Sequence, residues 1–466
     1  MELVFSILAG IAVALLFSLA IFIHEFGHYL AARLLGLQVD AFSIGFGPAL
    51  LKRTVNGIEY KIGCIPFGGY VALPQLDPSG MEKVQGDSTD KNERPLPDIP
   101  PWKRIVVSFS GPFGNLVLAV LLAYVIFFSP GAKTGVVAAR VGGVEEDSEA
   151  WRSGLRTGDR ILSVNGQKVA TWHDMQVENQ LSGEEGGALF TVQRGAERHK
   201  LALSFQTNNI FGLRFLAGVY PEVRCKLSEI IPGTPAEKSG LKVADVVLAV
   251  DDVPVLGAYH FASIISKYGS SPAALLVQRG AERRTIKVTP EYVDTERRFL
   301  IGVRWQDDIG QVKPWMMYSE PWSQLKWDFM AVKRVLEAVF KPKSKGEFKA
   351  VAKNVGGPIA IVMGLYDTVR GNMMDGIGFL RMICVNLAIL NLLPFPVLDG
   401  GHIMFALYEI ITRRKPHPRV VAALVNVFAV LLIGLMALLV YSDIAKRVKS
   451  GRVMRAAAKA VAETEK

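Results

Sequence analysis

Four long apolar runs dominate the hydrophobic pattern of the chain. The first carries no charged residue over positions 3–23, and about 20 apolar residues are enough to cross a bilayer as a helix. The others extend over about residues 105–128, 377–411 and 420–441. The pattern predicts a multi-span α-helical membrane protein with about four transmembrane helices.

Between the first two runs, residues 39–73 alternate apolar and polar positions and are rich in glycine. Alternation with a period of two predicts short strands, and the glycines predict tight turns between them. Non-helical backbone at membrane depth is tolerated only where protein or a water-filled cavity surrounds it. The residues alone leave two alternatives, a membrane-associated β element that dips into the bilayer or an amphipathic hairpin on its surface.

The polar stretch of residues 135–308 contains an internal repeat. The heptapeptide Val-Gln-Arg-Gly-Ala-Glu-Arg occurs at 192–198 and again at 277–283, which predicts tandem domains. Each copy resembles a PDZ domain, an α/β fold, in its leucine turn, its aspartate (Asp159 or Asp245) and the apolar strand that follows. The second copy lacks the glycine that precedes Asp159 in the first.

Residues 315–340 carry a helical stripe of apolar side chains among basic ones. Spacings of three and four residues join the members of this stripe, which are Leu325, Phe329, Val332, Leu336 and Val339. Such a helix either lies on the membrane or packs against the protein core. The apolar segment 356–361 that follows is too short to span a bilayer and is expected at the interface.

These patterns divide the chain into successive segments. They are 1–36 (first transmembrane helix), 37–102 (cytoplasmic loop with the β element), 103–129 (second transmembrane helix), 135–217 and 218–308 (PDZ-like domains), 315–375 (amphipathic or interfacial helices), 376–412 (third transmembrane helix), 420–441 (fourth transmembrane helix) and 442–466 (basic tail).

Composition agrees with a membrane protein. The chain is 50% hydrophobic with a mean hydropathy of +0.27, which is too apolar for an ordinary soluble protein. Its formal net charge of +10 comes largely from Lys and Arg beside the apolar runs. Membrane lipid is therefore the expected partner, and nucleic acid is not. Three widely spaced cysteines without a C-x-x-C pair predict neither a disulfide framework nor a cysteine metal site.

The charge pattern also predicts orientation. Arg33, Lys52, Arg53 and Lys61 follow the first span, so the positive-inside rule places that loop in the cytoplasm and the N-terminus outside. Four spans then place the basic tail outside, against the same rule. The first run lacks a basic start and is too long for a cleaved signal peptide, so we expect it to be retained.

The candidate chemistry lies near the end of the first run. His24 and His28 are four residues apart, so a helix places both on one face, where they can bind one metal ion. Glu25 lies beside them, close enough to act on a metal-bound water. Ionisable side chains in an apolar span are costly and are functional candidates for that reason. The alternative is a pair of helix-end histidines at the membrane interface.

A catalytic zinc site with two histidines requires a third protein ligand and an open position. Asp399 offers a carboxylate inside the third apolar run, which is longer than a bilayer requires. Pro394 and Pro396 lack a backbone N–H and must break its helix, which lets Asp399 turn toward the metal. His402, three residues further on, is expected beside the ligands or at the interface.

Three asparagines in the apolar runs are further candidates. Asn115 follows Gly111 and Gly114, small residues that suit close helix packing, and it either packs there or lines the active-site cavity. Asn386 and Asn391 precede the proline break. Packing between helices is the alternative to a role in the site for both.

These motifs together resemble a known family. His-Glu-Phe-Gly-His in a first span and Asn-Leu-Leu-Pro-Phe-Pro-Val-Leu-Asp-Gly in a late one resemble the site-2 protease family of intramembrane zinc metalloproteases. The match extends to Gly-Phe-Gly at 45–47, Pro-Phe-Gly-Gly-Tyr at 66–70, Gly-Pro-Phe-Gly-Asn at 111–115 and the PDZ-like repeat. This layout is similar to the bacterial branch called regulator of sigma-E protease.

The resemblance implies a site as well as a fold. It implies Zn²⁺ held by the two histidines and the aspartate, with Glu25 as the catalytic base. It implies that Asn386 and Asn391 contact substrate backbone, and Asn391 is a candidate to stabilise the developing oxyanion. The β element is then expected near the active site, where a strand edge close to Gly68, Gly69 and Tyr70 pairs with an extended substrate segment.

The implied substrates are single-span membrane proteins already trimmed by another protease, such as an anti-sigma factor, or remnant signal peptides. The implied location is the bacterial inner membrane, with periplasmic PDZ-like domains that bind peptide or act as a steric gate against bulky outer domains. Two alternatives remain, a zinc protease that cuts outside the bilayer and a non-catalytic PDZ scaffold with a structural metal. The apolar setting of the ligands argues against the first, and Glu25 against the second.

Overall fold

The computed structural model describes residues 2–76, 97–129, 137–182, 187–207, 214–305, 320–342, 345–354 and 356–464. Residues 77–96 of the predicted loop segment 37–102 and residues 306–319, which include parts of the segments 218–308 and 315–375, lie outside these ranges. The chain forms two compact units. The membrane unit comprises Met1–Lys133, Tyr318–Arg334 and Gly356–Gly451, and the repeat unit comprises Thr134–Met317, Val335–Val355 and Arg452–Lys466.

The helices are numbered in chain order. They are α1 Glu2–Leu34, α2 Pro101–Phe128, α3 Glu149–Arg152, α4 Trp172–Leu181, α5 Pro235–Lys238, α6 Ala258–Tyr268, α7 Pro321–Phe340, α8 Lys345–Asn354, α9 Pro358–Gly371, α10 Met373–Asn391, α11 Asp399–Thr412 and α12 Pro418–Thr464.

The strands are numbered in the same way. They are β1 Ala41–Val55, β2 Ile58–Ala72, β3 Val141–Val144, β4 Arg160–Val164, β5 Gln167–Lys168, β6 Ala188–Arg194, β7 Glu197–Leu203, β8 Gln206–Thr207, β9 Arg214–Phe215, β10 Val219–Pro221, β11 Cys225–Ile230, β12 Val246–Val250, β13 Val253–Pro254, β14 Ala273–Arg279, β15 Glu282–Val288, β16 Glu291–Val293, β17 Arg298–Leu300 and β18 Val303–Trp305.

Within the described ranges, four helices are long and apolar enough to cross a membrane, the number that the hydrophobic pattern predicts. They cover Leu3–Leu34, Pro101–Phe128, Met373–Asn391 and Pro418–Val448. The fourth span belongs to α12, which continues through the predicted basic tail to Thr464. The tail has one glycine and no proline up to that residue, so nothing in its sequence forces the helix to stop at the end of the apolar run.

The third span is shorter than the apolar run that predicts it. α10 ends at Asn391, turns and bends occupy the next residues, and α11 begins at Asp399. Pro394 and Pro396 lie inside this break, where a continuous helix would need the amide hydrogens that they lack.

Helices α1 and α2 approach closely where both carry glycine. A Cβ atom on Gly27 would lie 2.3 Å from the carbonyl oxygen of Ser110, and one on Gly114 would lie 2.7 Å from that of Ile23. Neither position has room for a side chain, so the two backbones touch there, as small residues allow in membrane helix packing. The turn of α1 that carries the H-E-x-x-H motif is thereby pressed against α2.

Strands β1 and β2 form an antiparallel element where alternation predicts strands. Residues 41–44 pair on one side with residues 69–72 and on the other with residues 59–62. The segment 69–72 therefore lies at an edge, with no further strand beside it in the part of the chain that the structure describes. This edge carries Gly69 and Tyr70.

α7 buries part of the predicted apolar stripe, including Val332 at 7% exposure, and buries two polar side chains beside it. Leu325 packs on a core of α1, α2 and α10 residues, but Phe329 is 51% exposed. Gln324 and Asp328 are instead buried, at 1% and 0% exposure. Apolar spacing gives no signal of these two buried polar side chains, which have a partner inside the unit because Arg381 lies opposite them on α10.

The repeat unit contains two modules with separate cores. The first has a sheet in the order β5-β4-β6-β7, and the second has the order β15-β14-β12-β11-β18. Each sheet covers its own buried apolar cluster. Strand β10 pairs with β3 of the first module, so the first module extends to Pro221 rather than to the predicted boundary at residue 217.

Both modules hold their leucine turn with the same buried ion pair. Arg194 donates two hydrogen bonds of 2.8 Å to the carboxylate of Asp159, and Arg279 donates two of the same length to Asp245. Both carboxylates are fully buried. The two arginines are equivalent residues of the repeated heptapeptide, so its repetition marks a structural lock rather than a ligand site.

The ion pair of the second module predicts a pH dependence of stability. Burial alone would raise the pKa of Asp245, but hydrogen bonds from Arg279 and from the Lys242 N–H hold the pKa below its ordinary value. A depressed carboxyl pKa stabilises the fold above the unfolded-state pKa of about 4 and loses that contribution as the pH falls through the folded-state value. We expect the amides of β14 to lose protection against hydrogen exchange below about pH 4.

The matched variant is Asp245→Asn, which we expect to lower the free energy of unfolding of the second module by about 2 kcal/mol. It should also flatten the dependence on pH. Hydrogen exchange of the full chain, corrected for the intrinsic exchange rate, measures both effects. Asp252→Asn, at an exposed position, is the control. An unchanged pH profile in Asp245→Asn would contradict the assignment.

Candidate metal centre

Three side chains from distant parts of the sequence meet at one point in the membrane unit. His24 Nε2 lies 3.3 Å from His28 Nε2 and 3.4 Å from Asp399 Oδ2. His28 Nε2 lies 3.4 Å from Asp399 Oδ1. Among the described residues, these three form the only group of His, Cys, Asp and Glu side chains close enough to hold a metal ion.

The donor atoms lie close enough together to share one metal ion. A tetrahedral Zn²⁺ with bonds of about 2.0–2.1 Å places neighbouring ligand atoms about 3.3 Å apart. The two histidine nitrogens, 3.3 Å apart, agree with this value, and each lies 3.4 Å from a different oxygen of the Asp399 carboxylate. Two imidazole nitrogens and one carboxylate also leave a fourth position for water or substrate, as in catalytic rather than structural zinc sites.

A hydrogen bond at Nδ1 of His28 holds its other ring nitrogen, Nε2, toward the metal position. His28 Nδ1 donates a hydrogen bond of 2.7 Å to the backbone carbonyl of Val107 on α2. Its Nε2 therefore carries no hydrogen in the neutral ring and is available as a ligand. A Cβ atom on Gly111 would lie 2.2 Å from this Nε2, so the ring occupies space that any side chain at position 111 would fill.

Asn115 lies beside Nδ1 of His24, as the Val107 carbonyl lies beside Nδ1 of His28. Its amide nitrogen lies 3.3 Å from His24 Nδ1, and its Oδ1 is buried without a hydrogen-bond partner among the described atoms. The oxygen and nitrogen of an amide side chain exchange places on a half-turn. After that turn, His24 Nδ1–H donates to Asn115 Oδ1, which leaves His24 Nε2 as the ligand.

Removal of this oxygen should weaken metal binding. We expect Asn115→Ala to lower metal affinity about 10–100-fold, because the His24 ring loses the group that orients it. Asn115→Asp keeps an oxygen at the same place and should hold affinity near that of the unaltered protein. Chelator competition measures both. Equal affinities for Asn115→Ala and the unaltered protein would show that Asn115 only packs between the helices.

The chain turns sharply to present Asp399. This residue is the first of α11, where the free N–H groups and the helix dipole favour a carboxylate. A Cβ atom on Gly400 would lie 2.2 Å from the Leu393 carbonyl oxygen, and one on Gly401 would lie 2.2 Å from that of Phe395. The two glycines therefore let the proline-containing turn fold back on the start of the helix.

Glu25 faces the cavity that contains the three ligands. The cavity has a volume of about 300 Å³. The backbone N–H of Val71, in the edge segment of β2, donates a hydrogen bond to the Glu25 carboxylate. A Cβ atom on Gly69 would lie 3.2 Å from Glu25 Cγ. The edge of the β element therefore lies directly against the candidate base.

Several other predicted residues lie beside a metal ligand or line this cavity. The amide nitrogen of Asn391 lies 3.5 Å from His24 Nε2. Gly69, Tyr70, Pro396 and His402 line the cavity wall.

Three predicted residues lie outside the cavity lining. Gly68 has a φ of +103°, in the region that favours glycine, and its α-carbon packs against the ring of Phe46. Pro394 belongs to the break between α10 and α11, and Asn386 is half-buried on α10. The structure gives these three no contact with the metal ligands.

Sequence reasoning missed the groups that act through their backbone. The Val107 carbonyl holds His28 and the Val71 N–H holds Glu25, and neither residue type carries a signal of that role. Ser108 and Val425, which line the cavity, were missed as well. Gly111 did carry a signal, since its small size predicted a close contact, although the contact is with His28 rather than with a helix backbone alone.

Two helix-borne histidines, a distant aspartate and an adjacent glutamate define the metalloproteases of the H-E-x-x-H class. The profile of peptidase family M50 matches residues 12–435, and the chain belongs to this family, the site-2 proteases. The resemblance seen in the two motifs is thereby confirmed, and the protein is a membrane metalloprotease by family.

Similar proteins occur in several bacteria. One from Xylella fastidiosa (strain Temecula1) is 31% identical, and the match covers 92% of this chain and 96% of the relative. One from Neisseria meningitidis serogroup A is 29% identical, with coverage of 93% and 98%. One from Campylobacter jejuni is 30% identical, with coverage of 94% and 93%. All three are named as candidate zinc metalloproteases.

A solved structure of a PDZ domain, from the SdrC-like protein of Listeria monocytogenes, also matches part of the chain. It covers 18% of this chain and 90% of that domain, with 15% identity and a TM-score of 0.17. A score of this size adds nothing to the fold of the modules, which rests on their own strands and cores.

Proposed function

We propose that this protein is an intramembrane zinc endopeptidase that cleaves the transmembrane segment of single-span membrane proteins. One observation carries the proposal. The ligand set of His24, His28 and Asp399, with Glu25 beside it, lies on a helix that is long and apolar enough to span a bilayer. A protease that cuts soluble peptides has no need to place its catalytic groups in such a helix.

The residues divide the chemistry among them. Zn²⁺ held by His24, His28 and Asp399 supplies a Lewis acid that polarises a carbonyl oxygen and acidifies water. Glu25 accepts the proton of the attacking water and passes it to the leaving amine. Asn391, whose amide nitrogen lies 3.5 Å from His24 Nε2, donates a side-chain hydrogen bond to the oxyanion.

A substrate helix must unwind before it can be cut. Its amides are hydrogen-bonded to its own carbonyl groups, which shields the scissile bond. The outer side of the edge segment 69–72, next to Glu25, has no strand paired to it among the described residues. We infer that an unwound substrate adds to this edge as an extended strand, with its main chain held across the cavity. Residues that weaken a helix near the cleavage position should therefore favour cutting.

The substrate class and location follow from the same proposal. The basic residues after the first span support a repeat unit outside the cytoplasm, and the family supports a location in the bacterial inner membrane. The substrates are then membrane proteins whose outer part another protease has trimmed, such as an anti-sigma factor, or remnant signal peptides. The two modules act as a steric gate against bulky outer domains rather than as peptide receptors.

Cleavage of defined reporters in lipid vesicles tests the proposal. One reporter carries a single leucine-rich span, and its matched partner has Gly and Pro at the centre of that span. We expect cleavage inside the span, located by mass spectrometry and about 10-fold faster for the weakened helix, since helix-breaking residues ease unwinding. A chelator should stop it and added Zn²⁺ should restore it.

Other outcomes would favour the remaining functions. Cleavage confined to reporter segments outside the bilayer would indicate a zinc protease that acts on exposed loops. Bound metal without cleavage of any reporter would indicate a PDZ scaffold with a structural metal site.

A further inference from the structure

An ion pair lies buried between α7 and α10 in the membrane unit. Arg381 Nε donates to Asp328 Oδ2 at 2.7 Å, and Arg381 Nη2 donates to Asp328 Oδ1 at 3.2 Å. The two side chains are 1% and 0% exposed. Arg381 Nη1 also donates to Gln324 Oε1, and Gln324 Nε2 donates to the backbone carbonyl of Ala123 at the limit of 3.5 Å. These three side chains, the Arg381 network, join α7, α10 and α2.

Stability alone does not account for this network. Buried ion pairs lose their hydration, and apolar residues of similar volume often replace them with no loss of stability. α7 also has exposed apolar side chains that could form a buried face in place of the ion pair. Trp322 and Met330, on the same turns, are 67% and 48% exposed. The helix therefore buries a charged side chain while large apolar side chains beside it stay exposed, which points to a requirement for geometry.

α10 is the helix whose placement the network controls. Its other contacts near Arg381 are apolar, through Leu380, Cys384 and Val385, and such contacts allow small rotations and shifts along the axis. A buried polar contact fixes register far more sharply, as a single buried asparagine does in coiled coils. Asn391 lies ten residues further along the same helix, about 15 Å away at 1.5 Å per residue.

We propose that Gln324 and Asp328 are positioning residues that act through Arg381 to fix the rotation and depth of α10. They thereby set the place of the Asn391 amide beside His24. The inference rests on the proposed function, since it assigns the network a role in peptide cleavage. A displacement of about 1 Å at a reacting group lowers a rate by up to about 100-fold, so loss of the network should act on kcat.

The decisive variant replaces both charges together. Asp328→Leu combined with Arg381→Met leaves no unpaired charge, so it should fold, bind metal and melt close to the unaltered protein. We expect its kcat for the weakened-span reporter to fall about 10–100-fold, with KM within about 3-fold. Arg381→Lys, which keeps the charge and one donor to Asp328, should recover most of the lost kcat.

Leu325→Ala provides the matched structural control. Leu325 packs on the same core of α1, α2 and α10 but carries no polar contact. It should lower the melting temperature and leave kcat nearly unchanged. A double variant with unaltered kcat, or one whose kcat falls only as far as that of Leu325→Ala, would overturn the positioning role. No cleavage by the unaltered protein would overturn the proposed function and this inference with it.

Discussion

Glu25→Gln should abolish cleavage while bound metal stays at one ion per chain. Glutamine has nearly the shape of glutamate and can still accept the hydrogen bond from Val71, but it cannot take a proton from water. Loss of a general base lowers a rate about 10²–10⁴-fold. Metal binding is spared because the three donor atoms belong to other residues. Reporter cleavage in vesicles and metal analysis of the same preparation measure the two effects.

Two further variants distinguish loss of the base from loss of a metal ligand. Glu25→Asp keeps the acid but withdraws it by one methylene, so part of the activity should remain. His28→Ala should lose metal and cleavage together, because it removes a ligand. Cleavage by Glu25→Gln at the unaltered rate would remove Glu25 from the mechanism, and loss of metal in that variant would make it a ligand instead.

Much of this site follows from the sequence because its chemistry is carried by rare residue types in apolar surroundings. His24, Glu25 and His28 lie on one helix, so their mutual geometry is set by helical periodicity alone. Helical periodicity does not place Asp399 beside them, because it lies more than 370 positions away in the sequence. Its pairing with the histidines is predictable only because a carboxylate beside a proline break in an apolar run has few other uses.

The rest of the site depends on tertiary packing. The Val107 carbonyl and the Val71 N–H belong to groups that every residue has, so no sequence pattern marks them. The Arg381 network cannot be predicted from the sequence for a different reason. Its three members lie on two helices, and apolar spacing on α7 gives no signal that two of its polar side chains are buried. Only the contact with Arg381 on α10 accounts for their burial.

The boundary between the modules shows the same limit. The heptapeptide repeat locates the two copies, but it does not predict which strands pair at the boundary between them. β10 follows the predicted end of the first module and pairs with β3 at its beginning. Such a long-range pairing is set by the whole sheet rather than by local sequence.

Gly111→Ala should remove the metal site without removing the fold. A Cβ atom at position 111 would lie 2.2 Å from His28 Nε2, and its next two neighbours are carbons of the same ring. Either the imidazole turns away or α2 shifts outward, and both movements separate Nε2 from the other two donor atoms. We expect bound metal to fall more than about 10-fold, since ligand geometry is lost, and cleavage to fall with it.

Gly10→Ala is the matched control on the partner helix α1. A Cβ atom at Gly10 would have no atom within 4 Å, and alanine favours a helix over glycine by about 1 kcal/mol. This variant should bind metal and cleave normally, with equal or higher thermal stability. Metal analysis and thermal unfolding of both variants make the comparison. Normal metal content in Gly111→Ala would mean that α1 and α2 can separate without disturbing His28, and the close glycine contact would then serve packing alone.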